Sequence, residues 1–158
     1  MGMPKNLFLV RHGQSEGNLT KKKYKESEDE NHFTDEFLSL HESQYKLTQL
    51  GIDQAKKAGL WLHENSFINF DRYYVSNNVR AMQTAAYLGL QNAQWYNDFN
   101  LRERDYGLFN VIKPSKRNTD YIDQQKFYIE QPFLFRPPQG ESLADVAQRV
   151  QKVLETLS

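Results

Sequence analysis

Four apolar residues, Leu7-Phe8-Leu9-Val10, end abruptly at Arg11-His12-Gly13. A run this short, with Asn6 before it and charge after it, reads as a buried strand. Helical patterns and short strands then alternate. Thr48 is placed to cap a helix reaching to about Asn65, with Leu50, Ala55, Ala58 and Leu62 on one face. Phe70 to Val75 reads as a second strand, and Ser76 opens a helix carrying Ala81, Ala85 and Leu88. Ala93 to Tyr96 reads as a short third strand, Asn97 to Pro114 as loop, and Thr119 to Ile129 as a helix. Pro132, Pro137, Pro138 and Gly140 interrupt the chain. Ser142-Leu143-Ala144-Asp145 then fits a capping box, followed by an apolar stripe of Val146, Val150, Val153, Leu154 and Leu157. The alternation predicts an α/β fold: a mainly parallel central sheet flanked by helices on both faces.

The 158 residues suffice for one hydrophobic core and not comfortably for two, so a single domain is expected over 1–158. Within it, 19–46 stands out as a charged surface insertion. Lys21-Lys22-Lys23 is followed by Glu26, Glu28, Asp29 and Glu30, then Asp35 and Glu36, without a clear period. A helical turn is expected near Asp35 to Leu40. Twenty basic side chains balance twenty acidic ones, which argues against nucleic-acid binding by bulk charge. The absence of cysteine removes disulfides, thiolate zinc sites and cysteine nucleophiles together. No signal peptide or membrane span is readable, so a cytoplasmic location without membrane contact is the expectation.

Arg11 to Asn18 follows directly on the first strand, and ligands in open α/β sheets sit beyond such strand ends. Gly13 and Gly17 let the backbone turn tightly. Arg11 offers a planar fork that matches phosphate oxygens, and Asn18 can donate a hydrogen bond. Neutral His12 has one ring nitrogen free to attack if the other donates a bond that fixes the tautomer. Arg80 falls in the first turn of the helix after the second strand, where a cation opposes the helix dipole. A local rule broken in that way marks a functional residue. Glu103, in Leu101-Arg102-Glu103-Arg104-Asp105, would have its pKa raised by a neighbouring phosphate dianion and could then protonate a leaving alcohol. Taken singly, each of these is equally a solvated or hydrogen-bonded surface residue.

Taken in order they resemble a family. Leu9-Val10-Arg11-His12-Gly13-Gln14-Ser15 resembles the R-H-G signature of the histidine phosphatase (phosphoglycerate-mutase-like) superfamily. Leu47-Thr48 with Gly51 and Gln54-Ala55, then Ser76 to Ala85, Glu103 to Gly107 and Pro138 to Ser142 resemble its later blocks. The resemblance implies a phosphohistidine mechanism without metal or cofactor. His12 would attack phosphorus, and Arg11, Arg80 and Asn18 would hold the oxygens. Gln14, Ser15 and Gly17 would share the phosphate site, and Glu103 would protonate the leaving group. The partner implied is a small phosphorylated substrate or inorganic phosphate. Oligomeric state is open, a homodimer included.

Gly17 departs from the mutase pattern, which carries an aromatic just before the asparagine, and leans toward the phosphatase-type branch. Hydrolysis of a phosphomonoester is therefore the first expectation and phosphoglycerate mutase the second. A second family histidine belongs to an H-G pair after a strand that follows the last helix read here and lies beside the first strand. His32, His41 and His63 do not match that pattern. The resemblance thus implies a C-terminally truncated domain lacking its last strand or strands. It leaves a third reading, a non-catalytic phosphate-binding module.

Overall fold

The computed structural model of the chain describes residues 4–65 and 69–157. The fold is α/β. Helices α1 (Glu16–Ser27), α2 (Asp35–Ser39) and α3 (Gln49–Glu64) precede strand β1 (Tyr73–Ser76), helix α4 (Val79–Tyr87) and strand β2 (Trp95–Asp98). Helices α5 (Pro114–Asp120), α6 (Ile122–Glu130) and α7 (Leu143–Leu157) follow. The two strands are parallel, with Tyr73 opposite Trp95 and Ser76 opposite Asp98. Aromatic rings meet across the ladder: Tyr73 and Trp95 lie 5.4 Å apart, Tyr74 and Tyr96 5.7 Å. No helix among the described residues is long and apolar enough to cross a membrane.

Several expected elements shift. Phe70–Val75 and Ala93–Tyr96 become strands that start two or three residues later. Leu7-Phe8-Leu9-Val10 is not a strand of the sheet. It joins no ladder, and Leu9 is 86% exposed. A short apolar run reports a wish for burial, whereas a strand also needs a neighbour for its backbone groups. Phe8 touches Phe70 edge-on at 5.1 Å. The walls of an adjoining cleft of about 1250 Å³ include Leu7 to Val10, Tyr73 to Val75 and, from α7, Val153 and Leu157.

The charged segment is more ordered than its composition predicts. Ser15 caps α1 in a reciprocal box with Asn18, so the three lysines lie on a helix rather than in an irregular loop. Tyr24, Phe33, Phe37 and Tyr45 then pack ring on ring, the last two stacked at 4.6 Å. Phe33 and Tyr45 are buried. The aromatics lack a helical period because turns separate them, so their cluster is invisible in the pattern. The expected turn at Asp35 is α2, with Thr34 at its cap.

Thr48 caps α3 as expected, but the buried stripe is Gly51, Ala55, Gly59 and Leu62, while Leu50 is exposed. The stripe of small residues admits backbone from elsewhere. A Cβ on Gly51 would overlap the Gln14 carbonyl, and one on Gly59 would overlap that of Leu88. The helix expected over Thr119–Ile129 is broken at Tyr121, whose ring packs edge-on against Phe109 at 5.3 Å. In α7, Asp145 and Ser142 exchange the two cap bonds expected of them.

Candidate active site

The turn after Val10 is held from α3 and α4. The Gln14 carbonyl accepts from the Thr48 amide at 2.9 Å, and the Gln14 amide donates to Gln54 Oε1 at 2.8 Å. The Gly13 amide donates to Thr84 Oγ1 at 3.2 Å, and that hydroxyl donates to the Arg80 carbonyl at 2.8 Å. Gly13 and Gly51 meet backbone to backbone, with no space for a Cβ on either. Gly51→Ala is therefore expected to cost about 1–3 kcal/mol by overpacking. Thermal unfolding measures that cost, and an unchanged midpoint would contradict this packing.

Two bonds define the protonation of His12. Its Nδ1 lies 2.7 Å from the Gly13 carbonyl oxygen, and its Nε2 lies 3.2 Å from Arg80 Nε. A carbonyl can only accept and a guanidinium can only donate. The ring is thus the Nδ1–H tautomer, with its Nε2 lone pair directed at Arg80. Burial lowers the His12 pKa below the ordinary imidazole value, and Arg80 and Arg11 push the same way. The Gly13 bond and Glu103 oppose them. The balance favours the neutral, nucleophilic ring at neutral pH.

Arg80 is buried at the second position of α4, as the sequence placed it. Its Nη1 donates to the Glu42 carbonyl at 2.7 Å, so the guanidinium is fixed at both ends. His12 sits where a pocket of about 470 Å³ joins the larger cleft. Arg11, His12 and Thr84 line both; Gln14, Asn18 and Gln54 line the pocket, and Arg80 and Glu103 the cleft. Asn18 Oδ1 is taken by the cap of α1, which leaves its amide nitrogen as the donor side. Ser15 and Gly17 are placed differently from the expectation. Both are buried, Ser15 as the helix cap and Gly17 beneath the Tyr45 ring, and neither lines the pocket.

These residues fall within a family match. The family description "Histidine phosphatase superfamily (branch 1)" matches residues 7–158. The chain belongs to that superfamily. A 2,3-bisphosphoglycerate-dependent phosphoglycerate mutase of Methylorubrum populi is 34% identical over 94% of this chain and 64% of its own. The phosphoglycerate mutase-like protein AT74 of Arabidopsis thaliana is also 34% identical, over 98% of this chain and 47% of its own. The chain thus spans less than two thirds of the length of these relatives. Among solved structures, an alpha-ribazole phosphatase from Shigella flexneri superposes with a TM-score of 0.72 at 19% identity, covering 94% of this chain and 64% of that one. A mycobacterial glucosyl-3-phosphoglycerate phosphatase does so with a TM-score of 0.69 at 24% identity, covering 93% and 60%. At such identities the likeness is one of fold.

Several residues that shape this site lay outside the sequence reading. Thr84 was legible in principle, since it follows Arg80 by one helical turn and shares its face. Glu42, which steadies Arg80, gave no signal. The loop bearing Glu103 hangs on α7: buried Arg149 donates to the Asn100 carbonyl at 2.5 Å and to the Glu103 carbonyl at 3.1 Å. Glu141 holds Arg149 and Arg102 and accepts from the Asp105 amide. Burial alone would raise the Glu141 pKa, but the bonds from Arg149 and Asp105 and the charges of Arg149 and Arg102 hold it below the ordinary value. Of the three other histidines, His41 reaches this rim, 3.9 Å from Asp105.

Proposed function

We propose that the chain carries the phosphoryl-transfer site of a phosphomonoesterase acting on a small phosphorylated metabolite, with His12 as nucleophile. The observation that carries the reading is the bond from Arg80 Nε to His12 Nε2. It sets a guanidinium against the only ring nitrogen with a free electron pair. A phosphoryl group arriving there takes over the Arg80 donor, and the freed lone pair faces phosphorus.

The Nε2 lone pair forms the N–P bond while the bond from phosphorus to the ester oxygen breaks. Glu103 gives its proton to the departing alkoxide. Water then attacks phosphorus on the opposite side, returning a proton to Glu103 as the N–P bond breaks and phosphate leaves. Arg11, Arg80 and the Asn18 amide supply the charge and hydrogen bonds that the equatorial oxygens need. Gly17 supports hydrolysis over transfer, because the position next to Asn18 is glycine and the Tyr45 ring packs over it.

A second reading, phosphoglycerate mutase, is favoured by the mutase from Methylorubrum populi. Supplying 3-phosphoglycerate with bisphosphoglycerate separates the two. Release of phosphate faster than formation of 2-phosphoglycerate supports hydrolysis, and the reverse order supports the mutase. Glu103→Gln should slow alkyl phosphates more than p-nitrophenyl phosphate, whose leaving group needs no proton. Equal losses on both would remove Glu103 as the acid.

A further inference from the structure

Glu42 begins a short 3₁₀ turn, Glu42–Gln44, within the charged segment, and is 7% exposed. Its backbone carbonyl receives Arg80 Nη1, while Arg80 Nε bonds His12. Its carboxyl feels charges from three other segments. Lys21 comes from α1, Arg80 from α4, and Glu103 and Asp105 from the loop after β2. Tyr45 of its own turn and Tyr106 of the facing loop complete the surroundings, with His41 beside Asp105. A carboxyl so buried, with the charges of Glu103 and Asp105 set against those of Arg80 and Lys21, is poorly placed to stay ionised.

We propose that Glu42 is a positioning residue that acts through Arg80: its carbonyl aims the guanidinium at His12, and its carboxyl takes up a proton when Arg80 engages an oxyanion. The inference rests on the phosphoryl-site reading above. An ionised Glu42 would share the charge of Arg80 with the ligand and repel a dianion. A neutral one leaves that charge to the ligand. Burial already raises the Glu42 carboxyl to about 7, with Glu103 and Asp105 adding to the rise and Arg80 and Lys21 opposing it. A bound dianion would raise it further. By linkage, binding then takes up a proton at neutral and mildly alkaline pH, and affinity falls as pH rises through that range.

Sulfate is a suitable probe, because it stays a dianion throughout. Titration calorimetry of the whole chain, in buffers of different ionisation enthalpy, counts the protons taken up. The wild-type chain should show net uptake, with affinity falling roughly 3–10-fold per pH unit above neutrality. Glu42→Gln should bind with little uptake and a flatter pH dependence. Should that variant misfold, Lys21→Gln serves instead: removing the opposing charge should move the fall in affinity to higher pH. Uptake unchanged in Glu42→Gln, or an unmoved profile in Lys21→Gln, would overturn the role of Glu42 and leave the phosphoryl site standing. Failure of the wild-type chain to bind sulfate would overturn the site itself.

Discussion

Replacing His12 by alanine is expected to lower turnover of a phosphomonoester by on the order of 10⁴–10⁶-fold, the scale on which removal of a covalent nucleophile acts. The pocket would survive the change. Gly13 would keep its bond to Thr84, and Gln14 its ties to α3. Arg80 would lose a neutral acceptor and keep the Glu42 carbonyl. Binding of inorganic phosphate should therefore persist while turnover vanishes. Rate and phosphate affinity, measured on the same preparation, check both halves. Substantial residual turnover would mean that water attacks phosphorus directly.

Arg80→Ala is expected to lose about 2–4 kcal/mol of transition-state stabilisation, the range for one preorganised electrostatic donor. The loss is read from kcat/KM. Two further consequences distinguish it from a general loosening of the fold. The Nε2 lone pair would no longer be held by a donor, and one of the charges that lower the His12 pKa would be gone, so that pKa should rise. The acidic limb of the rate profile should move to higher pH accordingly. Arg80→Lys should not restore the rate. A lysine ammonium is a point charge and cannot reach the Glu42 carbonyl and the His12 side with a rigid fork. An unchanged kcat/KM in Arg80→Ala would take Arg80 out of the site.

Two helix caps of this chain were legible because their chemistry is local: Thr48 with Gly51 and Ser142 with Asp145 each act within one turn. The convergence of His12, Arg80 and Glu103 was legible only through the ordered blocks around them, since no periodicity links residues so far apart in sequence. Three things were not legible. Leu7-Phe8-Leu9-Val10 has the composition of a strand, yet backbone pairing depends on a neighbour that composition does not name. The aromatic cluster around Phe33 and Tyr45 is built across turns, so a reading keyed to charge saw a surface insertion. Glu42 acts through a backbone carbonyl, which every residue has and no sequence pattern advertises.

The most direct test of the account is to expose the chain to a phosphate donor, quench in alkali and map any phosphoryl group by mass spectrometry. The expected result is an acid-labile, alkali-stable adduct on His12 that is absent from His12→Ala. Phosphate released without such an adduct, or a phosphoryl group on another residue, would contradict it.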